Sequence, residues 1–410
     1  IVAAMNAAII AVGTEMLGPT RVDTNSLKVT GVLETYGVPL VRKSICGDTL
    51  SDLVDEIKFT VARCDVLITS GGLGPTEDDL TREALAEAFG LTLQVDQSII
   101  DTIEERFRRR GGKMPEVNKR QANVFTGQTT LYNERGTAPG FHLEVGGKHV
   151  WVFPGVPHEL EWMLETFFRP WLAEVSGGVT RHRRVLKVAG LTESGVEEKL
   201  KPYYAAHRDE PFTILASPAG IELHLVDESL ETIAAREHEM LSLLSHHVFG
   251  YDNDTLESVV GRMLAERKAT VATAESCTGG LLAQRITEVA GSSAYFIGGA
   301  VCYDARVKVD VVGVDPELIS AHGEVSEEVA VALARGIRER FGTTYGVGIT
   351  GIAGPGGGSE AKPVGTVHIA VANAASHEHR KVFWGGTTRH IVRALSAQTA
   401  LDMLRRVITR

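Results

Sequence analysis

Glutamate, serine, cysteine, threonine and paired glycines stand together in Ala272-Thr273-Ala274-Glu275-Ser276-Cys277-Thr278-Gly279-Gly280-Leu281. The run Ala269 to Ala274 is rich in small and β-branched residues, and Leu281, Leu282, Ile286 and Val289 recur at helical spacing. The pattern predicts a strand, a turn at Ser276 and a helix. A hydroxyl there lies among the unpaired N–H groups of a first helical turn, where the dipole favours a developing oxyanion and the glycines admit a substrate close to the backbone. Capping of the helix by Ser276 or Thr278 is the simpler role for the same residues. A serine that attacks a carbonyl needs a base. No G-x-S-x-G elbow is present, and His322, His368 and His390 lack an orienting carboxylate at a recognisable spacing. Lys308, one helical turn beyond Tyr303, is the other choice, because burial lets a neutral amine accept a proton. Cys277 is intrinsically the better nucleophile but equally a small buried hydrophobe, and it ranks second.

The first half carries a different chemistry in Ser70-Gly71-Gly72-Leu73-Gly74-Pro75-Thr76-Glu77-Asp78-Asp79-Leu80-Thr81, which follows a buried strand over Asp65 to Thr69. Its glycines expose backbone N–H groups to phosphate oxygens, and Glu77, Asp78 and Asp79 can hold a divalent cation, so the two parts together suit a diphosphate. No Gly-Lys-Ser/Thr follows and no G-x-G-x-x-G occurs, which excludes a P-loop and a dinucleotide fingerprint; a Nudix helix is also absent. A tight turn with acids at a helix N-terminus is the plainer reading.

These stretches need strand ends to position them. From Asn6 onward strand-like runs alternate with helical patterns, predicting a parallel sheet between helix layers. Ala7 to Val12 leads into Gly13-Thr14-Glu15; Asp23 and Asn25 open a helix over Ser26 to Tyr36. Further helices are expected over Arg82 to Phe89 and Gln97 to Arg109, the arginines of the latter on its wet face. His149 to Phe153 delivers Pro154-Gly155-Val156-Pro157 into a helix over Glu161 to Phe168. Trp171 to Arg184 reads as a linker. A β-α-β-β-α unit follows, with strands at Val185 to Ala189, Phe212 to Ala216 and Ile221 to Val226 and helices at Ser194 to Tyr204 and Leu230 to Leu244. The last part has a helix from Thr255, strands at Phe296 to Tyr303 and Tyr345 to Thr350, a hairpin-like pair at Val364 to Ala372 and His379 to Trp384, and a long final helix. The expected architecture is α/β: two three-layer α/β domains, 5–170 and 251–410, joined by a small α+β domain at 171–250.

The 410 residues suffice for two or three domains, and 43% hydrophobic with 23% charged residues is the composition of a globular chain. A net charge of −10 argues against a duplex-wrapping surface, and the basic runs Arg106 to Arg110 and Arg181 to Arg184 read as solvated faces or linkers. No apolar run spans a membrane and no signal segment opens the chain, so a cytoplasmic protein is expected. Met5 reads as the natural start, and residues 1–4 stand outside the fold argument. The four cysteines have no zinc-ribbon or redox spacing, and no H-x-x-x-H pair occurs.

Gly13-Thr14-Glu15, Asp23-x-Asn25, the Gly71 to Thr81 loop and Phe153-Pro154-Gly155-Val156-Pro157 resemble the first domain of the bacterial CinA (competence/damage-inducible) family, whose fold is similar to molybdopterin-binding domains. Glu275 to Gly280, Tyr303 with Lys308, Thr350-Gly351-Ile352-Ala353-Gly354-Pro355 and Lys362-Pro363-Val364-Gly365-Thr366-Val367 are similar to its C-terminal, nicotinamide-nucleotide amidohydrolase domain. For the first domain the resemblance implies an ADP-ribose pyrophosphatase releasing AMP and ribose 5-phosphate. A divalent metal (cobalt, with magnesium as second choice) and potassium would support it; Asp78 and Asp79 would act at the phosphates, with Glu77 as a further metal ligand. For the last domain it implies metal-free conversion of nicotinamide mononucleotide to nicotinic acid mononucleotide and ammonia. Ser276 would be the nucleophile and Lys308 the base, Tyr303 and Thr350 would place the reacting groups, and Arg389 or Arg393 would hold the nucleotide phosphate. Ligand-holding positions are then Thr278, Gly279, Gly280 and Gly351 in the last domain, and Gly71, Gly72, Gly74, Thr76 and Gly155 in the first. Many relatives read Ser-Asn after the tyrosine, where this chain has Asp304-Ala305. The middle segment resembles a KH-type module without a basic G-x-x-G clamp, so nucleic acid is not an expected partner. A homodimer is. The rival reading is a nucleotide- or pterin-binding protein serving DNA uptake or recombination, its first domain catalytically silent.

Overall fold

The computed structural model describes residues 5–178, 180–208 and 212–410; residues 1–4, and residue 179 within the expected linker, lie outside them. The chain divides into two compact units, Ile1–His182 and Arg183–Arg410.

The first unit is built on a six-stranded sheet ordered Leu40–Cys46, Ala7–Val12, Val66–Ser70, Lys148–Phe153, Gly140–Val145, Thr129–Leu131. The first four strands are parallel and the last two antiparallel. Ala7–Val12 and Val66–Ser70 are buried at every position, as central strands covered on both faces must be, and this is why they read as continuous apolar runs. One helix layer packs Ile57, Leu53, Leu85 and Ile103 on one face; Leu33, Leu160, Phe168 and Leu172 cover the other. The parallel strands all deliver their carboxyl ends to one rim, where such sheets bind ligands.

The expected linker is mostly structured. Helix Pro157–Met163 passes through a π-turn, Leu164–Phe168, into helix Arg169–Val175, and Arg183 and Arg184 belong to strand His182–Val188. Pro170 occupies the start of Arg169–Val175, and Leu172 is fully buried while Trp171 packs on Trp151. The apolar face therefore outweighs the glycines and basic residues that suggested a linker. Arg106 also leaves its expected wet face: it donates to the carbonyls of Gly136 and Asn133.

The second unit holds two sheets. One is ordered Thr213–Ser217, Gly220–Asp227, His182–Val188, Val248–Tyr251, backed by helices Glu193–Ala206 and Leu230–Leu244. Its fourth strand, Val248–Tyr251, was not apparent in the sequence. The other is ordered Phe296–Val301, Val271–Glu275, Tyr345–Gly351, Thr366–Ala372, His377–Phe383, with the first three strands parallel and the last two joined antiparallel. Helix Glu327–Phe341 covers one face with Val329, Leu333 and Ile337. The final helix, Arg389–Thr409, buries Leu401, Leu404 and Ile408 with Leu264 and Val371 on the other. No helix among the described residues is long and apolar enough to cross a membrane.

Candidate functional sites

In the last domain Val271–Glu275 ends at the Ser276 turn, and helix Leu281–Thr287 follows. The buried Glu275 carboxylate orders this turn: it accepts from the N–H groups of Gly280 (3.1 Å), Leu282 (3.0 Å) and Ala283 (2.8 Å). Gly279 N–H donates to the Ser276 carbonyl and Leu281 N–H to the Thr278 carbonyl. The N–H groups of Cys277 and Thr278 donate to no acceptor among the described residues. They are the unpaired donors of the turn that follows Ser276; the N–H groups of Gly279 and Gly280 are already taken. Both glycines have positive φ (59° and 91°), the conformation that turns the chain into the helix. Burial pushes the Cys277 thiol up to about 12, which disfavours the nucleophilic thiolate, and the side chain packs as part of the core.

The adjacent parallel strand brings Tyr303 and Lys308. Asp304 caps helix Ala305–Asp310 by accepting from Arg306 N–H at 2.9 Å, so the residue that departs from many relatives starts the helix that carries the lysine. Lys308 is fully buried, and its Nζ lies 2.6 Å from Glu324 Oε2 and 3.4 Å from the Tyr303 carbonyl. Among the described residues it makes no hydrogen bond to Ser276. Thr350, at the end of the neighbouring strand, donates to the Glu324 carbonyl at 2.7 Å, so it positions the residue that holds the lysine. Gly351 follows where a Cβ would stand 2.8 Å from the Thr366 carbonyl oxygen.

Both arginines reach this rim. Arg389 donates to the Tyr303 hydroxyl at 3.0 Å and to the Gly354 carbonyl at 2.8 Å; Arg393 donates to the Thr278 carbonyl at 2.7 Å. Glu324 was missed in the sequence, where it stands in a polar loop; only the fold brings it to Lys308, sixteen positions away.

In the first unit the sequence-predicted loop lines a cavity of about 410 Å³, within the roughly 300 to 1,000 Å³ of ligand sites. Gly71, Gly72, Gly74, Thr76, Asp78, Asp79 and Gly155 all line it, with Asp23, Asn25 and Gln121. Gly71 has φ 109°, and a Cβ there would sit 2.2 Å from the Val12 carbonyl oxygen, so only glycine lets these strand ends approach. The N–H groups of Gly72, Leu73 and Gly74 donate to nothing among the described residues. Their carbonyls are secured instead: fully buried Arg82 donates to Leu73 O at 2.9 Å and Gly74 O at 3.1 Å, while Thr81 N–H meets Gly72 O. Arg82 was not singled out in the sequence, because an arginine opening a helix reads as exposed.

Asp79 Oδ2 is held by the Thr76 N–H and hydroxyl (2.8 and 2.5 Å), which turns it toward the cavity. Glu77 is not among the lining residues, since consecutive side chains in a tight turn cannot all face one side. The three acids do not gather as a ligand triad; the carboxylates of Asp78 and Asp79 remain. Carboxylate oxygens beside unpaired N–H groups suit a phosphate ligand with a hard divalent cation, which Asp78 and Asp79 would hold. Asn25 donates to Ser70 Oγ and the Gly155 carbonyl, and its own buried Oδ1 has no partner among the described residues.

Comparison with known proteins bears on both halves. Residues 253–408 match the family described as the CinA C-terminal domain, and residues 8–174 match the probable molybdopterin binding domain. The chain is 42% identical to a CinA-like protein of Solibacter usitatus, with 99% of each covered. It is 44% identical to a putative competence-damage inducible protein of Moorella thermoacetica, with 98% of each covered. The crystal structure of competence/damage inducible protein CihA from Agrobacterium tumefaciens is 39% identical over 38% of this chain and 94% of that one, with a TM-score of 0.37.

Proposed function

The chain belongs to the CinA family, and from that premise we propose that its last domain hydrolyses the carboxamide of nicotinamide mononucleotide and its first domain cleaves ADP-ribose. The observation that carries the amidase reading is the pair of unpaired N–H groups, Cys277 and Thr278, directly after a serine at a strand end, beside a strand that leads to a buried lysine.

Ser276 Oγ attacks the carboxamide carbon as its proton passes to the Lys308 amine. The oxyanion is held by the Cys277 and Thr278 N–H groups. Collapse of the tetrahedral centre breaks the carbon–nitrogen bond; Lys308 gives the proton to the departing nitrogen, and ammonia leaves an acyl-serine. Water then attacks the ester, releasing nicotinic acid mononucleotide and restoring the hydroxyl. Lys308 rests as an ammonium held by Glu324; as substrate entry displaces that contact its extra proton leaves to solvent, and the neutral amine that remains is the base. The two arginines divide the remaining work. Arg393 braces the nucleophile turn through the Thr278 carbonyl, whereas Arg389, exposed beside Tyr303, is the one that meets the phosphate.

In the first domain the Gly72 to Gly74 N–H groups hold diphosphate oxygens, and Asp78 and Asp79 would hold a divalent metal, which would supply neutralising charge to the phosphates. The test is direct. Purified protein given nicotinamide mononucleotide releases ammonia, and Ser276→Ala, folded by circular dichroism, releases none; wild-type turnover by that variant ends the amidase reading. Absence of both ammonia from this substrate and AMP from ADP-ribose would favour the rival binding-protein reading.

A further inference from the structure

One cluster lies outside both sites. His142, Glu144 and His149 are the one group among the described residues that brings three metal-ligating atoms within 4.8 Å of one another. They sit on the antiparallel hairpin Gly140–Val145 and Lys148–Phe153. His149 is directly opposite Glu144 and His142 directly opposite Trp151, so all four side chains stand on one face. Strand Lys148–Phe153 runs from His149 toward Pro154 and Gly155, which line the cavity; the cluster therefore occupies the opposite rim of the sheet.

We infer that His142 Nε2, His149 Nδ1 and the Glu144 carboxylate form a binding site for a late first-row divalent cation of the zinc class, separate from the phosphate cavity. Three observations carry it. His142 Nε2 and His149 Nδ1 face each other at 3.1 Å. Two nitrogens at about 2.0–2.1 Å from one tetrahedral ion stand roughly 3.3 Å apart, close to the spacing found here, so an ion takes the place of the hydrogen between the rings once each ring turns to aim its lone pair at it. Both rings are already packed side by side. His142 stacks on Trp151 at 4.1 Å and 12°, and His149 meets the edge of Trp171 at 4.9 Å. Two of three ligands are thus pre-ordered, and Glu144, exposed and in register with His149, closes the third position. Two imidazoles with one carboxylate select zinc, nickel, copper or cobalt over magnesium, which prefers an all-oxygen shell with several waters. A fourth position stays open to water. Trp171, of helix Arg169–Val175, packs against both rings, so the two imidazoles rest on the helix layer.

The experiment is equilibrium dialysis of the full chain against zinc chloride in a tenfold excess of magnesium, with thermal midpoints read alongside. The wild type is expected to retain one zinc that Asp78→Asn/Asp79→Asn also retains, with a midpoint raised by zinc. His149→Ala should lose it, and Glu144→Gln should weaken it by about tenfold or more. Glu144→Gln alters only an exposed side chain, so the result stands even if His149→Ala fails to fold. Equal zinc affinity in the wild type and Glu144→Gln, or loss of the zinc in Asp78→Asn/Asp79→Asn, would overturn the site. Either activity could fail its own assay without touching this outcome.

Discussion

Lys308 Nζ and Glu324 Oε2 are 2.6 Å apart, with the lysine fully buried and the glutamate half-exposed at the edge of the same site. A buried ammonium needs such a partner, because leaving it alone in the interior is costly. The pair stores the lysine in place until substrate arrives.

Removing the amine tests its role as base. Lys308→Ala should lower kcat for ammonia release by roughly 10² to 10⁴, the usual worth of general acid–base catalysis, with KM little changed. Glu324→Gln should raise kcat, because the amine is released more readily. A fall in kcat as deep as that of Lys308→Ala would instead make Glu324 a positioning residue that the reaction requires.

The Glu275 carboxylate collects three N–H groups of the turn and helix behind Ser276. Glu275→Ala leaves those donors buried and unpaired, at about 1–3 kcal/mol. Urea denaturation should show the unfolding free energy lowered by that amount, with a lower midpoint, and ammonia release should fall with it. An unchanged midpoint would mean that the turn holds itself.

Arg82 keeps the Leu73 and Gly74 carbonyls away from the cavity. Arg82→Lys keeps the charge but loses the fork that reaches two carbonyls at once. AMP release from ADP-ribose should drop at least about tenfold, the scale of one lost pair of charged hydrogen bonds, while ammonia release from nicotinamide mononucleotide is unaffected. Parallel loss of both activities would point to a general folding defect.

Chelation separates the two chemistries. Removing divalent metal should stop AMP formation and leave ammonia release intact, and Asp78→Ala with Asp79→Ala should do the same. Metal-dependent ammonia release would contradict the serine mechanism.

His368, on strand Thr366–Ala372, is held down to about 4, first by burial and then by the charge of His379. The folded chain keeps it neutral where the unfolded chain takes up a proton near 6.5. Its contribution is therefore intact above about pH 6.5 and is lost progressively as pH falls toward 4. Denaturation midpoints at pH 7 and pH 5 should differ more in the wild type than in His368→Gln; equal differences would exclude this source of acid sensitivity.

Much of the frame was legible because burial leaves a local signature. Ala7–Val12, Val66–Ser70 and Lys148–Phe153 are apolar runs, and the turns carrying Gly71 and Ser276 are marked by glycines that such close approaches require. What escaped notice depends on partners distant in sequence. Glu324 gains its meaning from Lys308, and Arg82 from the carbonyls eight and nine positions before it. Helix Arg169–Val175 was hidden because the glycines and basic residues that follow it made the whole stretch from Trp171 read as a linker. Glu77 was grouped with Asp78 and Asp79 by adjacency, although only the latter two line the cavity.

The central claim is that Ser276 becomes acylated. Protein mixed with nicotinamide mononucleotide and quenched in acid within a turnover should yield, by peptide mass mapping, the fragment bearing Ser276 with the nicotinoyl nucleotide attached, absent from Ser276→Ala. Ammonia released at full rate with no adduct on that fragment, or with the adduct on Cys277, would contradict it.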